Sequence, residues 1–113
     1  MPEARKLYKL CFYVPESHLE PVKSALFAAG AGRVGDYEHC CWQTVGMGQF
    51  RPLVGSQPHI GELGQLEQLA EYKVEMVVAE EWVNSAREAL LLAHPYEEPA
   101  YDLWPLSLEQ ASR

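Results

Sequence analysis

Two stretches of this chain alternate hydrophobic residues with other residues at every second position. The stretches are 8–14 and 72–78, and they align without gaps at an offset of 64 residues. Side chains two apart in a strand lie on the same face, so this alternation is typical of a strand with one face on a core. The core-facing positions are Tyr8, Leu10, Phe12 and Val14 in the first copy and Tyr72, Val74, Met76 and Val78 in the second.

Each alternating stretch is followed by hydrophobic residues at helical spacing. The stripes are Leu19, Val22, Leu26 and Ala29, and then Val83, Ala86, Leu90 and Ala93. Apolar residues three and four apart form one face of a helix, which predicts two helices covering a sheet. Ser17 and Glu20 form a capping-box pattern, but Pro21 favours a start nearer Glu20. Gly30 predicts the end of the first helix, and the His94-Pro95 pair predicts the end of the second.

A further extended segment follows each helix, at 38–50 and at 100–106. The element order is therefore β-α-β-β-α-β. A duplicated βαβ unit with both helices on one face of an antiparallel sheet predicts an α+β, ferredoxin-like fold. A doubly wound sheet is the alternative, but two helices are too few to cover both of its faces. We expect one domain over 1–113, with an ordered core over about 6–106 and a short polar tail at 107–113.

The segment between the second and third predicted strands, 46–64, is rich in residues that break regular structure. It has five glycines and two prolines in nineteen positions. This composition predicts a long irregular loop or an extended hairpin arm. Loops of this length in compact domains are usually functional or mobile, so the arm is also a candidate surface for a protein partner.

The composition narrows the class of protein. Hydrophobic residues make up 48% of the chain and charged residues 22%, which is ordinary for a soluble globular domain. A net charge of −7 repels phosphate backbones and anionic lipid surfaces, which argues against nucleic-acid and membrane binding. The segment 1–6 is followed by a strand-like stretch and not by the apolar run of a secretory signal, so we expect a cytoplasmic protein. The three cysteines show no metal or disulfide spacing.

The densest group of polar side chains lies between the second helix and the last strand. His94, Glu97 and Glu98 are nitrogen and oxygen donors that suit a divalent metal ion, and His59 is a further candidate ligand if the arm folds toward them. The alternative is a turn in which His94 holds the helix end and the two glutamates are solvated. Arg51 beside Phe50 is a candidate for binding an anion or stacking on a ring. No arrangement for nucleophilic catalysis is visible.

Three motifs together resemble the NIF-three-like family. They are Gly46-x-Gly48-x-Phe50-Arg51-Pro52, Pro58-His59-Ile60-Gly61-Glu62, and the stretch from His94 to Asp102. Over about 6–106 the chain resembles the domain inserted in the middle of bacterial members, and we expect it to occur here as a stand-alone protein. The resemblance implies a fold related to PII signalling proteins and CutA, which are trimers, and an arm that helps to enclose ligands. It makes Phe50, Arg51, His59 and Tyr96 candidate ligand-binding residues.

Three hypotheses for function follow from these observations. The first is a non-enzymatic regulatory or ligand-binding module, a homotrimer with clefts between subunits formed by the mixed sheet face and the arm. The second is a divalent metal-binding protein that uses His94, Glu97 and Glu98. The third is an accessory subunit of a metal-dependent, hydrolase-like partner, because the resemblance places the family's two-metal site in a main body that this chain lacks. We expect the chain itself not to be an enzyme, with no cofactor beyond a divalent metal ion.

Overall fold

The computed structural model describes residues 6–107, and these form one four-stranded antiparallel sheet with two helices on one face. The elements are β1 (Leu7–Pro15), α1 (Glu16–Ala28), β2 (Trp42–Phe50), β3 (Glu67–Ala79), a 3₁₀ turn (Glu80–Trp82), α2 (Val83–Ala93) and β4 (Tyr101–Leu106). The strand order is β2-β3-β1-β4, with every neighbouring pair antiparallel. This confirms the predicted ferredoxin-like fold. Of the predicted tail, 108–113 lies outside the described residues.

The two copies of the repeat lie side by side at the centre of the sheet. Tyr8 pairs with Val78 and Phe12 pairs with Val74, so the core-facing positions of β1 and β3 meet on one face. Both helices pack on this face and bury their predicted stripes against it. The core consists of Leu10, Phe12, Val14, Leu19, Val22, Leu26, Ala31, Val74, Met76, Val78, Ala86 and Leu90. Each large side chain among them contributes about 1.5–3 kcal/mol by leaving water.

The outer strand β4 continues the sheet on the other side of β1. It pairs from Phe12 with Tyr101 to Leu7 with Leu106. The first residue of β1 and the last residue of β4 are therefore direct neighbours across the sheet. Both ends of the described domain leave the sheet at the same place.

The start of α1 differs from the prediction. The helix begins at Glu16 and not near Glu20, and its N-cap, Pro15, makes no side-chain capping hydrogen bond. Ser17 lies inside the first turn with its Oγ 2.9 Å from Nδ1 of His18, so the predicted capping box is wrong. The extended backbone of Pro15 leads directly from β1 into the helix. Pro21 is then inside the helix. Because proline has no N–H, the backbone carbonyl four residues earlier lacks its helical partner, and this carbonyl lies near the exposed start of the helix.

The predicted end of α1 at Gly30 is confirmed. Gly30 has φ of 106°, and its N–H donates to the Phe27 carbonyl over 3.1 Å. The N–H of Ala31 donates to the Leu26 carbonyl, also over 3.1 Å, which completes a Schellman motif. A side chain at Gly30 would meet the ring of Trp82, so this glycine also lets the start of α2 pack closely.

The hairpin of β2 and β3 extends past the end of β1. Strand β2 begins at Trp42 and not at Glu38, because residues 31–41 form a loop in which Cys40 N–H donates to the Gly32 carbonyl over 2.8 Å. Strand β3 begins at Glu67, five residues before the repeat. Residues 46–50 pair with 67–71, so the segment 46–64 is partly strand and partly loop. The arm predicted at 46–64 therefore continues into β3, and from here on the arm means residues 46–71.

The arm makes the molecule long, with principal dimensions of 57 × 24 × 23 Å. Neither helix of the described region is long and apolar enough to cross a bilayer.

Candidate ligand-binding cleft

A cleft of about 620 Å³ lies between the arm and the end of the sheet. We call it the arm cleft. Residues 44–50 of β2 form one wall, the loop around 52–60 forms another, and the segment 96–100 closes the side toward β4. Its volume is in the range of small-molecule sites in proteins. The lining residues are Tyr13, Thr44, Val45, Gly46, Met47, Gly48, Gln49, Phe50, Pro52, Ser56, Pro58, His59, Ile60, Glu71, Lys73, Tyr96, Glu97, Glu98 and Ala100.

Tyr96 is the side chain that connects the walls of the arm cleft. Its hydroxyl donates a 2.8 Å hydrogen bond to Oε2 of Glu71 on β3. Its ring centroid lies 6.3 Å from that of Phe50 and 6.3 Å from that of His59. Burial, together with the hydrogen bond to Glu71, raises the pKa of Tyr96 far above its ordinary value. The phenol therefore stays protonated and keeps donating to the carboxylate.

Glu71 reaches its position because a diagonal neighbour on the adjacent strand has no side chain. Its carboxylate lies directly over Gly48 of the neighbouring strand, where a Cβ atom would overlap Oε1. Sequence reasoning missed Glu71, since a charged residue in a strand resembles any solvated position. The available signal was Gly48, because a glycine within a strand often marks the close approach of another group.

His94 lies behind Tyr96 and is buried, with 6% of its surface exposed. Its Nδ1 accepts a 3.1 Å hydrogen bond from the N–H of Tyr96, and this leaves Nε2 to carry the proton and donate to the Tyr13 carbonyl over 2.7 Å. Burial lowers the pKa of His94, so the ring is neutral near pH 7. The ring thus fixes the turn after α2 against β1.

These contacts oppose the predicted metal site. Both ring nitrogens of His94 are already engaged with the backbone, and Glu97 and Glu98 are exposed. Oε1 of Glu97 accepts a 3.2 Å hydrogen bond from the N–H of Gln57, which ties the arm to the segment after α2. Within 6–107, no three His, Cys, Asp or Glu side chains come together in a group that would hold a metal ion.

The structure brings most of the other predicted residues together. Phe50, His59 and Tyr96 all line the arm cleft, as do the two glutamates, whereas Arg51 is exposed and does not line it. The ring of His59 also lies edge-on to that of His18 on α1, with centroids 5.3 Å apart. The arm therefore folds toward the 94–100 segment, as the ligand hypothesis for His59 required.

The lining of the arm cleft is mostly apolar. Its walls combine aromatic and aliphatic surface with a few polar groups, which is the usual make-up of a ligand pocket. The Ser56 hydroxyl, a potential nucleophile in the lining, donates to the Leu53 carbonyl over 2.7 Å.

Comparison with curated proteins finds relatives over most of this chain. It is 47% identical over 103 residues to the GTP cyclohydrolase 1 type 2 homolog of Halalkalibacterium halodurans, covering 91% of this chain and 28% of that protein. Identity to the protein of the same name from Bacillus subtilis is 42% over 107 residues, covering 95% of this chain and 29% of that one. The chain thus spans less than a third of the length of these relatives. No family model matches it.

Solved structures agree with the sequence matches. A Bacillus cereus protein related to NIF3 superposes with a TM-score of 0.81 at 37% identity, covering 96% of this chain and 28% of that one. CutA from Archaeoglobus fulgidus superposes with a TM-score of 0.64 at 14% identity, covering 90% and 85%. The GlnK–ATP complex of Bacillus subtilis gives 0.59 at 13% identity, covering 90% and 84%. The last two likenesses show the fold alone.

Proposed function

We propose that this chain, which belongs to the NIF-three-like family, is a non-enzymatic ligand-binding module of the PII/CutA-like type. It matches its longer relatives in that family over a segment the length of one domain. We place it in the cytoplasm, where it acts as a regulatory oligomer. The observation that carries the proposal is the arm cleft, which gathers Phe50, His59 and Tyr96 around one cavity.

The arm cleft has the features of a preformed binding site. Two hydrogen bonds, from Tyr96 to Glu71 and from Gln57 to Glu97, hold the 94–100 segment against the arm. His94 fixes Tyr96 from behind. A site held in shape before binding loses less conformational entropy when a ligand enters.

The absence of a catalytic role is part of the proposal. The name GTP cyclohydrolase 1 type 2 homolog belongs to proteins more than three times as long as the matched segment. In the arm cleft the Ser56 hydroxyl is used in a turn, and the nearby His94 has no free nitrogen. We expect GTP incubated with this chain and zinc or manganese to be recovered unchanged by liquid chromatography, and its conversion would overturn this part of the proposal.

The oligomeric part of the proposal rests on the sheet face opposite the helices. No helix of the described residues covers this face, yet Cys11 at its centre is only 1% exposed, lying between Glu75 on β3 and Asp102 on β4. Burial raises the pKa of the Cys11 thiol, so it stays uncharged. A partly polar face that no described helix covers suits contact with further copies of the chain, and we favour a homotrimer.

Ligand binding is tested by titrating a fragment library of anions, cations and neutral compounds into ¹⁵N-labelled protein. Binders are expected to shift the amide resonances of 44–50 and 96–98. The Tyr96→Ala variant should weaken such binders, whereas Leu92→Ala, on the exposed surface of α2, should not. If no class of fragment shifts the cleft resonances, the arm cleft is not a binding site and the proposal fails.

A further inference from the structure

The charged groups that line the arm cleft are mostly carboxylates. Glu71, Glu97 and Glu98 face it, against a single amine, that of Lys73. The imidazole of His59 is the remaining titratable group apart from the tyrosines. A cavity with this excess of negative charge, in a chain of net charge −7, attracts cations and repels phosphates.

Lys73 does not cancel this excess. Its charge acts on Cys11, at the centre of the open sheet face, together with the charges of Glu75 and Asp102. Lys73 therefore shares its surroundings with two carboxylates that do not line the arm cleft. The end of the cavity near Tyr96 holds Glu71 and the adjoining Glu97 and Glu98, three carboxylates against the one amine of the lining.

The aromatic rings at that end add a second attraction for cations. The Phe50 and Tyr96 rings lie 6.3 Å apart and are tilted by 51°. A cation within about 6 Å of an aromatic ring centre is attracted by the negative face of the ring. Glu71 accepts from Tyr96 through Oε2, and its other oxygen, Oε1, lies over Gly48 in the lining of the same cavity, where the carboxylate charge can pair with a cation.

We infer that the arm cleft takes an organic cation, a protonated or quaternary amine on an apolar body. The ammonium group lies near Glu71 and the rings of Phe50 and Tyr96, and the apolar body contacts Pro52 and Ile60. This inference rests on the proposed ligand-binding function and names the chemical class of the ligand. It also separates this chain from the similarly folded GlnK, whose solved structure is a complex with ATP. A triphosphate in the arm cleft would face three carboxylates.

The test compares three probes by ¹⁵N chemical-shift titration: choline, its uncharged isostere 3,3-dimethylbutan-1-ol, and ATP. We expect choline to bind about fivefold or more tightly than the alcohol, since only the cation gains from the carboxylate and the rings. The shifted resonances should be those of 44–50 and 96–98. ATP should leave these resonances in place.

Three variants assign the effect to its cause. Glu71→Gln keeps an acceptor for the Tyr96 hydroxyl but removes the charge, and should weaken choline binding about tenfold while leaving the alcohol unaffected. Phe50→Leu keeps apolar bulk without the ring and should weaken choline about threefold. Glu88→Gln makes the same charge change on the exposed face of α2 and should alter neither affinity.

Equal affinity for choline and the alcohol, tighter binding of ATP, or no shift with choline overturns the inference. Binding of the alcohol or of ATP at the cleft resonances as tightly as choline, or more tightly, would leave the ligand-binding proposal standing while the cation inference fails. Both fail together only if these probes and the fragment library all leave the arm cleft unshifted.

Discussion

At the scale of single residues, Tyr96 and His94 determine the shape of the arm cleft. Tyr96 contacts Phe50 and His59 through its ring and Glu71 through its hydroxyl. His94 holds the backbone N–H of Tyr96 and the carbonyl of Tyr13 with its two nitrogens. Small changes at either residue are therefore expected to alter both stability and the cleft.

Removing the Tyr96 hydroxyl leaves Glu71 without its donor. We expect Tyr96→Phe to lower the free energy of unfolding by about 1–2 kcal/mol, because hydrogen bonds to charged groups are stronger than average and this one is partly buried. Urea denaturation monitored by circular dichroism measures the change. Tyr37→Phe, at a residue 75% exposed, is the control and should have almost no effect. An equal loss in both variants would contradict the role assigned to the Tyr96–Glu71 pair.

The stability of the protein should depend on pH through His94. Burial lowers its pKa below the 6.5 of a free histidine, so between 6.5 and the folded value the unfolded chain binds more protons than the folded one. The contribution of His94 is complete above pH 6.5 and is lost as the pH falls toward the folded pKa. The urea concentration at the unfolding midpoint, measured at pH values from 7.5 downward, should begin to decrease once the pH is below 6.5.

The His94→Gln variant should be less stable at pH 7.5 and show a flatter profile below pH 6.5. His39→Asn replaces an exposed histidine, in a left-handed conformation that asparagine tolerates, and should keep the wild-type profile. A His94 variant with an unchanged slope would assign the pH dependence to other groups.

At the scale of elements, the hydrophobic periodicity predicted which faces of the helices and strands pack on the core, whereas tertiary contacts determined where some of these elements begin. The helical stripe from Leu19 to Leu26 and the alternation in 8–14 are both found, since burial on one face imposes these spacings. The start of β3 at Glu67 was missed, because 67–71 is extended through its pairing with β2 and not through its own hydrophobic pattern. The sequence did not indicate that His94 is buried, since the residue types at 94–98 suit a turn and a metal site equally well.

The contact between α1 and α2 can be tested at Gly30. Gly30→Ala introduces a Cβ at φ of 106°, with its nearest Trp82 ring atom 2.6 Å away. We expect a loss of more than about 2 kcal/mol, which combines backbone strain with the displacement of the ring. Thermal unfolding measures it. Gly55→Ala is a matched control with φ of 101° and open space around the added Cβ, so it isolates the strain. Equal losses would show that the Trp82 contact contributes nothing.

At the scale of the whole molecule, one sheet face is covered by both helices and the other is not covered by any described helix. The covered face explains why the domain folds around a single core. The open face, with the neutral thiol of Cys11 at its centre, is the surface on which the proposed homotrimer depends. In the proposed homotrimer, the arm would project beyond the body of a subunit toward a neighbouring copy.

Light scattering after size-exclusion chromatography tests the assembly. We expect a mass about three times the 12.8 kDa of the chain at micromolar concentration. Val77→Arg puts a charge on the open face and should shift the protein toward monomer, because that charge would have to lose its water at the contact. Leu92→Arg makes the same change on the exposed surface of α2 and should leave the mass unaltered. A wild-type monomer would remove the oligomeric proposal.

The pairing of Leu7 with Leu106 allows this domain to be inserted into a longer chain. Paired residues of antiparallel strands lie about 4.5–5.5 Å apart at their Cα atoms. The two connections between a host chain and this domain would therefore lie close together. A longer protein can thus carry such a unit on a surface loop with little distortion, consistent with relatives in which the matching part is 28% of the whole. By the same geometry, a circular permutant that joins 6 to 107 through a short glycine linker and opens at Gly55 should fold with the original sheet intact.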